Sequence, residues 1–179
     1  MTNESQRLAR RIVTVTGPDR PGLVAAVSRV FADEDVDLED VSMTRLSGNF
    51  TTMLLARGGD ESRLRMRLEE IATKFGLHIH LEAAVEHEDE PEPDIYVSAS
   101  GPNRTGIVAA LSQTLASHNV NILEMTTRLL DRTKVPVYMV RIEAAIGAAN
   151  PDALRADLEL IGRELGIEVR LEAVEHQDM

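Results

Sequence analysis

The chain has 179 residues, of which 43% are hydrophobic and 27% charged, and its formal net charge is −11 at pH 7. This is the composition of a soluble globular protein, with no apolar run near the roughly 20 residues that span a bilayer, and the acidic charge argues against binding to nucleic-acid phosphates. The sequence contains no cysteine, which excludes disulfides, thiolate catalysis and cysteine metal ligands.

The first predicted domain follows a polar extension, residues 1–10. This extension lacks the apolar core of a signal peptide, so we expect a cytoplasmic location. Arg11–Thr16 is rich in β-branched residues and predicts a strand. Pro21 is expected in the first turn of the helix that follows. The apolar residues of that helix recur at the spacing of one buried face: Leu23, Val27, Val30 and Phe31.

Two strands, a second helix and a closing strand complete this domain. Val36–Leu46 and Phe50–Ala56 predict strands that are joined by a hairpin turn at Ser47–Asn49. Asp60 is the expected N-cap of the second helix, and Gly76 is expected to end it. The apolar face of that helix consists of Leu64, Leu68, Ile71 and Phe75, and Leu77–Leu81 alternates as a strand.

The second half repeats this order after an acidic, proline-containing segment. Residues 88–94 carry no apolar side chain and predict a solvated linker between a first domain, 11–87, and a second, 95–176. Asn150 and Pro151 are expected at the N-cap and the first position of the last helix. The predicted elements of the second half are Ile95–Ser100, Thr105–His118, Asn121–Leu130, Val135–Ala145, the helix with Leu154, Leu158, Ile161 and Leu165 on its apolar face, and Ile167–Leu171.

The two halves also match residue by residue. The stretch from Gly17 to Val36 returns from Gly101 to Val120 with ten of its twenty positions identical. Each half has the order strand, helix, strand, strand, helix, strand. With right-handed crossovers, this order gives a four-stranded antiparallel sheet with both helices on one face. The predicted fold class is therefore α+β, with two tandem ferredoxin-like βαββαβ units.

A glycine-bounded turn connects the first strand of each half to its first helix. Such a turn exposes backbone N–H groups at the positive end of the helix, where the carboxylate of a small ligand can bind. Two copies of the turn predict two such places. The alternative is that both turns only initiate helices.

The residues around these turns resemble a known family. The strand, the loop Gly17–Val24, the alanine-rich helix and Val36–Leu38 resemble the ACT domain, the small-ligand regulatory module of amino-acid metabolism. Asn103–Ile107 and Val120–Ile122 are similar to the same two motifs. Two such units with nothing attached most resemble the glycine cleavage system transcriptional repressor family. The loop is also similar to that of the ACT units in formyltetrahydrofolate deformylase, but no catalytic domain is predicted here.

The resemblance implies a set of site residues. In ligand-binding ACT domains, this loop and the start of the second strand of a neighbouring unit enclose an amino acid. Carried over by position, the implied ligand-binding residues are Asn103, Arg104, Thr105, Gly106, Ile107 and Asn121 in the second half and Asp19, Arg20, Pro21, Gly22, Leu23 and Asp37 in the first.

The two halves differ in how well they match the family at these positions. Asn103, Gly106 and Asn121 are the usual residues, whereas Thr105 replaces a proline. In the first half, aspartates occupy both asparagine positions. Because an aspartate repels a carboxylate, we expect the second loop to contribute more affinity than the first.

The sequence agrees less well with a metal-binding site than with a site for an amino acid. His78, His80 and Glu82 alternate on one strand face, as metal ligands can. Their counterparts in the second half are Glu168, Arg170 and Glu172, which favours a solvated face. Asp33–Glu39 begins like a calcium loop, but the glycine and glutamate that such a loop requires are missing.

Two other functions occur on this topology. Acylphosphatases keep an arginine in the first loop, where Arg20 and Arg104 stand, but the rest of their phosphate-binding loop is absent. RNA-recognition modules stack bases on aromatic residues of the sheet, and the predicted strands carry no such pair.

The sequence therefore predicts a non-enzymatic, amino-acid-responsive regulator without cofactor or metal. The resemblance implies an amino-acid ligand such as glycine or serine, and a protein partner such as a transcription factor or an enzyme of glycine or one-carbon metabolism. We expect no direct nucleic-acid or membrane binding. We also expect a homodimer, because each unit leaves sheet edges unpaired. The alternative is a structural or oligomerisation module that binds no ligand.

Overall fold

The computed structural model describes residues 9–85, 91–131 and 136–174. The chain divides into two compact units, Met1–His87 and Glu88–Met179. Residues 91–94 of the predicted linker have no regular secondary structure, and the rest of that linker lies outside the described residues. The described helices include none that is both long and apolar enough to cross a membrane.

Each unit has the predicted order of strands and helices. The elements of the first unit are β1 (Arg10–Pro18), α1 (Leu23–Asp33), β2 (Val36–Leu46), β3 (Asn49–Gly58), α2 (Glu61–Phe75) and β4 (His78–Ala83). Those of the second are β5 (Ile95–Pro102), α3 (Ile107–Ser117), β6 (Asn121–Leu130), β7 (Val137–Ala145), α4 (Pro151–Leu165) and β8 (Glu168–Ala173). Val135, where the seventh strand was expected to begin, lies outside the described residues.

Both sheets are antiparallel and have four strands. Their strand orders are β2-β3-β1-β4 and β6-β7-β5-β8, so the predicted pair of ferredoxin-like βαββαβ units is confirmed. The register shifts at Glu39 in β2 and at the equivalent Leu123 in β6. A bulge at the same point of both edge strands increases the local twist. β2 and β6 each have one strand neighbour within their own unit.

Each unit buries its own core between the sheet and the two helices. In the first unit, Phe31 and Phe50 are almost fully buried together with Leu64 and Leu68 of α2. In the second, Leu111 and Leu115 of α3 pack with Leu154 and Leu158 of α4. Each such side chain contributes about 1.5–3 kcal/mol relative to an exposed one. The helical spacing that predicted these faces is therefore confirmed.

The two long helices begin where the sequence predicts. Asp60 accepts a hydrogen bond from the Arg63 N–H, and Asn150 accepts hydrogen bonds from two N–H groups of the first turn of α4. Gly76 and Gly166 end these helices in the left-handed conformation, which glycine adopts without strain.

The two short helices begin later than the sequence predicts. α1 starts at Leu23, so Pro21 lies in the preceding turn and not in the first helical turn. Likewise, α3 starts at Ile107 instead of Thr105. The physical reason is that Gly22 and Gly106 have φ values of 87° and 96°, which no right-handed helix contains.

Candidate ligand-binding site

The loop between the first strand and the first helix has the same backbone in both units. Gly22 and Gly106 occupy the N-cap positions in the left-handed region, and neither helix start has a side-chain cap. The first helical hydrogen bonds run from the Ala26 N–H to the Gly22 carbonyl and from the Ala110 N–H to the Gly106 carbonyl, each at 2.9 Å. In the first unit the Leu23 N–H also donates to the Arg20 carbonyl, at 3.3 Å. The first N–H groups of a helix that have no partner within it favour an anion at the helix start.

A close backbone approach fixes where each loop begins. A Cβ atom at Gly17 would lie 2.7 Å from Leu77 Cδ2, and one at Gly101 would lie 2.7 Å from Ile167 Cγ2. Both distances are shorter than van der Waals contact. The end of the first strand can lie against the turn that precedes the last strand because the residue here is a glycine, which has no Cβ atom. By contrast, a Cβ atom at Gly22 or Gly106 would meet nothing within 4 Å. The loop itself is therefore open to a ligand.

In the first unit, the aspartate at each asparagine position is paired with an arginine. Asp19 lies against Arg45 of β2, and its N–H donates to the Gly48 carbonyl at 2.9 Å. Asp37 Oδ2 lies 3.9 Å from Arg57 Nη2 on the neighbouring strand. Arg57 lies closer to Glu39, with Nε 2.9 Å from Oε1. The repulsion expected between an aspartate and a bound carboxylate is therefore partly offset at Asp19, which has Arg45 beside it.

The second unit replaces these ion pairs by neutral residues. Leu129 occupies the position in β6 that Arg45 occupies in β2, because the two residues pair with equivalent residues of β7 and β3. Asn103 and Asn121 are exposed, and no side-chain hydrogen bond joins either of them to another described residue. Their amide groups are therefore turned to solvent, where they can donate to and accept from a ligand.

The remaining implied site residues fall into two groups. Leu23 and Ile107 are buried, with 1% and 2% of their surface exposed, so they offer a ligand their backbone and not their side chains. The others are exposed: Arg20, Pro21, Arg104 and Thr105. The Arg104 guanidinium lies beside Gly166, with Nη1 3.6 Å from the position of a Cβ atom there. This places its charge at the negative end of α4.

The two parts of the implied site lie at opposite ends of each sheet. Asn121 of β6 pairs with Ala145 of β7, whereas Pro102, just before the loop, pairs with Val137. These pairings lie at the two ends of β7, eight residue steps apart, so at about 3.4 Å per step they are about 27 Å apart. The structure therefore does not bring Asn103 and Asn121 together within one unit.

The other candidate positions show no sign of a metal site. His80 and Glu82 are exposed, with their side chains 3.4 Å apart, and the described part of the chain holds no group of three metal-ligating side chains. Asp33, at the start of the calcium-like stretch, pairs with Arg29 at 2.8 Å.

Sequence reasoning missed Arg45 and Arg57 as partners of the loop and strand aspartates. It also missed three arginines on the outer face of the second sheet, Arg128, Arg141 and Arg170, which share a cavity of about 540 Å³. Neither set has a local sequence signal, because each depends on which residues face one another across strands. The alternation of polar and apolar residues does indicate which face of the sheet these arginines occupy.

Comparison with known proteins agrees with this architecture. A family model described as the ACT domain matches residues 10–82 and 94–172. A UPF0237 protein of Methanopyrus kandleri is 35% identical over 82 residues, which cover 46% of this chain and 91% of the relative. A UPF0237 protein of Methanocaldococcus jannaschii is 36% identical over 85 residues, covering 48% and 89%.

Two solved structures match nearly the whole chain. An unknown protein from Galdieria sulphuraria has a TM-score of 0.79 at 23% identity and covers 93% of this chain and 99% of its own. A protein named as a candidate glycine cleavage system transcriptional repressor has a TM-score of 0.70 at 15% identity, with coverage of 94% and 98%. At these identities the two likenesses concern the fold.

Proposed function

Because the chain belongs to the ACT domain family, we propose that it is a non-enzymatic regulator that binds a free amino acid and acts through a protein partner. The observation that carries this proposal is the duplicated loop, in which a left-handed glycine precedes a helix start that has no side-chain cap and a Cβ atom at that glycine would meet nothing within 4 Å. Glycine and serine are the first ligands to test, because the chain resembles the glycine cleavage system transcriptional repressor family.

An amino acid suits this loop because it carries both charges on neighbouring atoms. The carboxylate would accept hydrogen bonds from the helix-start N–H groups. The ammonium needs an acceptor close by, and the side-chain carbonyls of Asn103 and Asn121 can supply one. Hydrogen bonds to charged groups are worth about 1.5–3 kcal/mol each, which is enough for a small ligand to bind.

The site is proposed to form between two copies of the second unit. Asn103 and Asn121 are about 27 Å apart within one unit, so one ligand cannot contact both there. β6 is an edge strand. If it pairs antiparallel with β6 of another chain, Asn121 of one copy is brought to the end of the sheet that carries the Asn103 loop of the other. The same pairing covers the β6 edge of each copy, which is why a homodimer is proposed.

The second unit is proposed as the main site. Its Asn103 and Asn121 are neutral and solvent-facing, whereas Asp19 is engaged by Arg45 and its loop is tied to the β2–β3 hairpin. A ligand at the first loop would have to compete with that ion pair.

A protein partner is proposed in place of DNA. The net charge of −11 opposes association with a phosphate backbone. The likeness in fold to a candidate glycine cleavage system transcriptional repressor suggests a transcription factor, or an enzyme of glycine or one-carbon metabolism, as the partner class. The alternative is an oligomerisation module without a ligand, which the unpaired edges of β2 and β6 also favour.

Calorimetric titration of the full chain with each of the twenty common amino acids tests this proposal. Saturable binding of one or a few of them, weakened in Asn103→Ala, supports a ligand-responsive regulator. Absence of binding to all of them, with a dimer still present by light scattering, would instead establish the oligomerisation module.

A further inference from the structure

The outer face of the second sheet, opposite the helices, carries a concentration of arginines. Cross-strand pairing places Thr126, Arg141, Ser98 and Arg170 in one row across the four strands. The next row consists of Arg128, Met139, Ser100 and Glu168. These two rows line the cavity of about 540 Å³.

Small residues between long ones give this face its concave shape. Arg141 and Arg170 lie on the two strands that flank β5, with Ser98 between them. Strands two positions apart are separated by about 10 Å, so two arginine side chains rise on either side of a short hydroxyl. Ser98 and Ser100 therefore form the floor, and an anion between the guanidinium groups could also accept hydrogen bonds from these hydroxyls.

The lining of the cavity contains three arginines and one glutamate, Glu168, while Glu124, Glu143 and Glu172 lie in the next row of the same face. Arg170 is hydrogen-bonded to Glu168 Oε1 at 2.6 and 2.9 Å, and this bond and the charge of Glu168 raise the pKa of the guanidinium above its usual value. Arg141 lies 3.2 Å from Glu143 and 4.9 Å from the centre of the Tyr96 ring. No carboxylate of the described chain forms an ion pair with Arg128.

The first unit provides an internal comparison. The same two rows there read Ser42, Met53, Thr14 and His80, then Thr44, Thr51, Thr16 and His78. They contain no arginine and have threonines at both positions of the floor serines. Because the two units share the fold and the loop motif, the arginine cluster is not a requirement of the architecture.

We propose that this outer face of the second unit binds a small anion with two or more negative charges, as in a diphosphate or a phosphorylated metabolite. Guanidinium groups recognise phosphate and carboxylate oxygens through paired, charge-assisted hydrogen bonds. A doubly charged ligand can engage Arg128, Arg141 and Arg170 together, which a singly charged amino-acid carboxylate cannot. This site is separate from the loop at Asn103 and does not depend on it.

Titration of the full chain with inorganic pyrophosphate and with citrate, at low ionic strength, tests the proposal. We expect saturable binding of pyrophosphate that weakens about threefold to tenfold in each of Arg128→Gln and Arg170→Gln. The matched control is Arg163→Gln, which removes the same charge from an exposed position on α4 and should leave the affinity within about twofold. Citrate binding at the same arginines more tightly than pyrophosphate would assign the site to polycarboxylates, and the reverse to phosphate compounds.

A further variant tests the same site by adding a negative charge, without removing an arginine. Met139→Glu introduces a carboxylate into the same row as Arg128 at a side chain that is 45% exposed, and it should abolish binding without changing the unfolding midpoint. Asn103→Ala should leave pyrophosphate binding unchanged, which separates this site from the amino-acid site. Absence of binding to both anions, or equal weakening in Arg163→Gln, would overturn the proposal.

Discussion

Asn103 follows the end of β5 and Asn121 begins β6, so the two residues lie at opposite ends of one sheet, about 27 Å apart along the strands. Both are exposed. The loop that contains Asn103 ends at an uncapped helix start, and Asn121 begins an edge strand. A ligand that contacts both residues must therefore bind between two copies of the unit, so that binding and association become linked.

The first prediction concerns the difference between the two loops. Asn103→Ala should weaken binding of the best amino-acid ligand by about 1–3 kcal/mol, because a hydrogen bond to a charged group is lost. Asp19→Ala should change the affinity little, since Asp19 is engaged by Arg45. Calorimetric titration of both variants measures this difference. Loss of binding in Asp19→Ala with full binding in Asn103→Ala would reverse the assignment.

The second prediction concerns the glycine that opens the main loop. Gly106→Ala should lower the free energy of unfolding by about 1–2 kcal/mol, because alanine resists the left-handed conformation. Crowding does not contribute, since a Cβ atom there meets nothing within 4 Å. Gly106→Asn should lose less, because asparagine tolerates that conformation better. Urea unfolding measures both variants, and an unaltered stability of Gly106→Ala would contradict the role given to φ.

The third prediction concerns a pair of side chains whose acidic and basic members exchange places between the two units. His118 Nε2 lies 2.8 Å from Asp157 Oδ2 at the end of α3. At the equivalent place in the first unit, Glu34 lies 3.0 Å from Arg63 and 3.8 Å from Arg67, so an acidic residue takes the place of His118 and a basic residue that of Asp157. His118→Glu should destabilise the second unit by about 1 kcal/mol, because two carboxylates then face each other.

Adding Asp157→Arg to His118→Glu recreates the pair of the first unit and should restore the stability. The free energies of unfolding of the two single variants and the double variant give the coupling between these positions. Additive losses in the double variant would show that the two side chains do not interact.

Much of the fold could be predicted because its signals are local. Helical spacing placed Leu154 and Leu158 in the core, and Asn150 was predicted as a cap from its position before a proline. The start of α1 was predicted too early because Pro21 is typical of a first helical turn. The left-handed conformation of Gly22, which places the helix start after it, depends on a φ value that the pattern does not specify.

The candidate site was less predictable because its contacts are long-range. The pairing of Asp19 with Arg45 depends on how the β2–β3 hairpin lies against the loop. The arginine face depends on the register of four strands that are far apart in sequence. A one-residue slip in any strand would turn its side chains to the other face, so residue types alone could not predict the cluster.

The most direct test of the shared site mixes two variants that each bind the ligand weakly. Asn103→Ala and Asn121→Ala chains are each titrated with the amino acid that the wild type binds, and then mixed after denaturation and refolding. We predict that neither binds well alone. The mixture should recover about one quarter of the wild-type sites, because half of the dimers are mixed and each mixed dimer carries one site with both asparagines intact. No recovery in a mixture that has formed dimers would contradict a site shared between two chains.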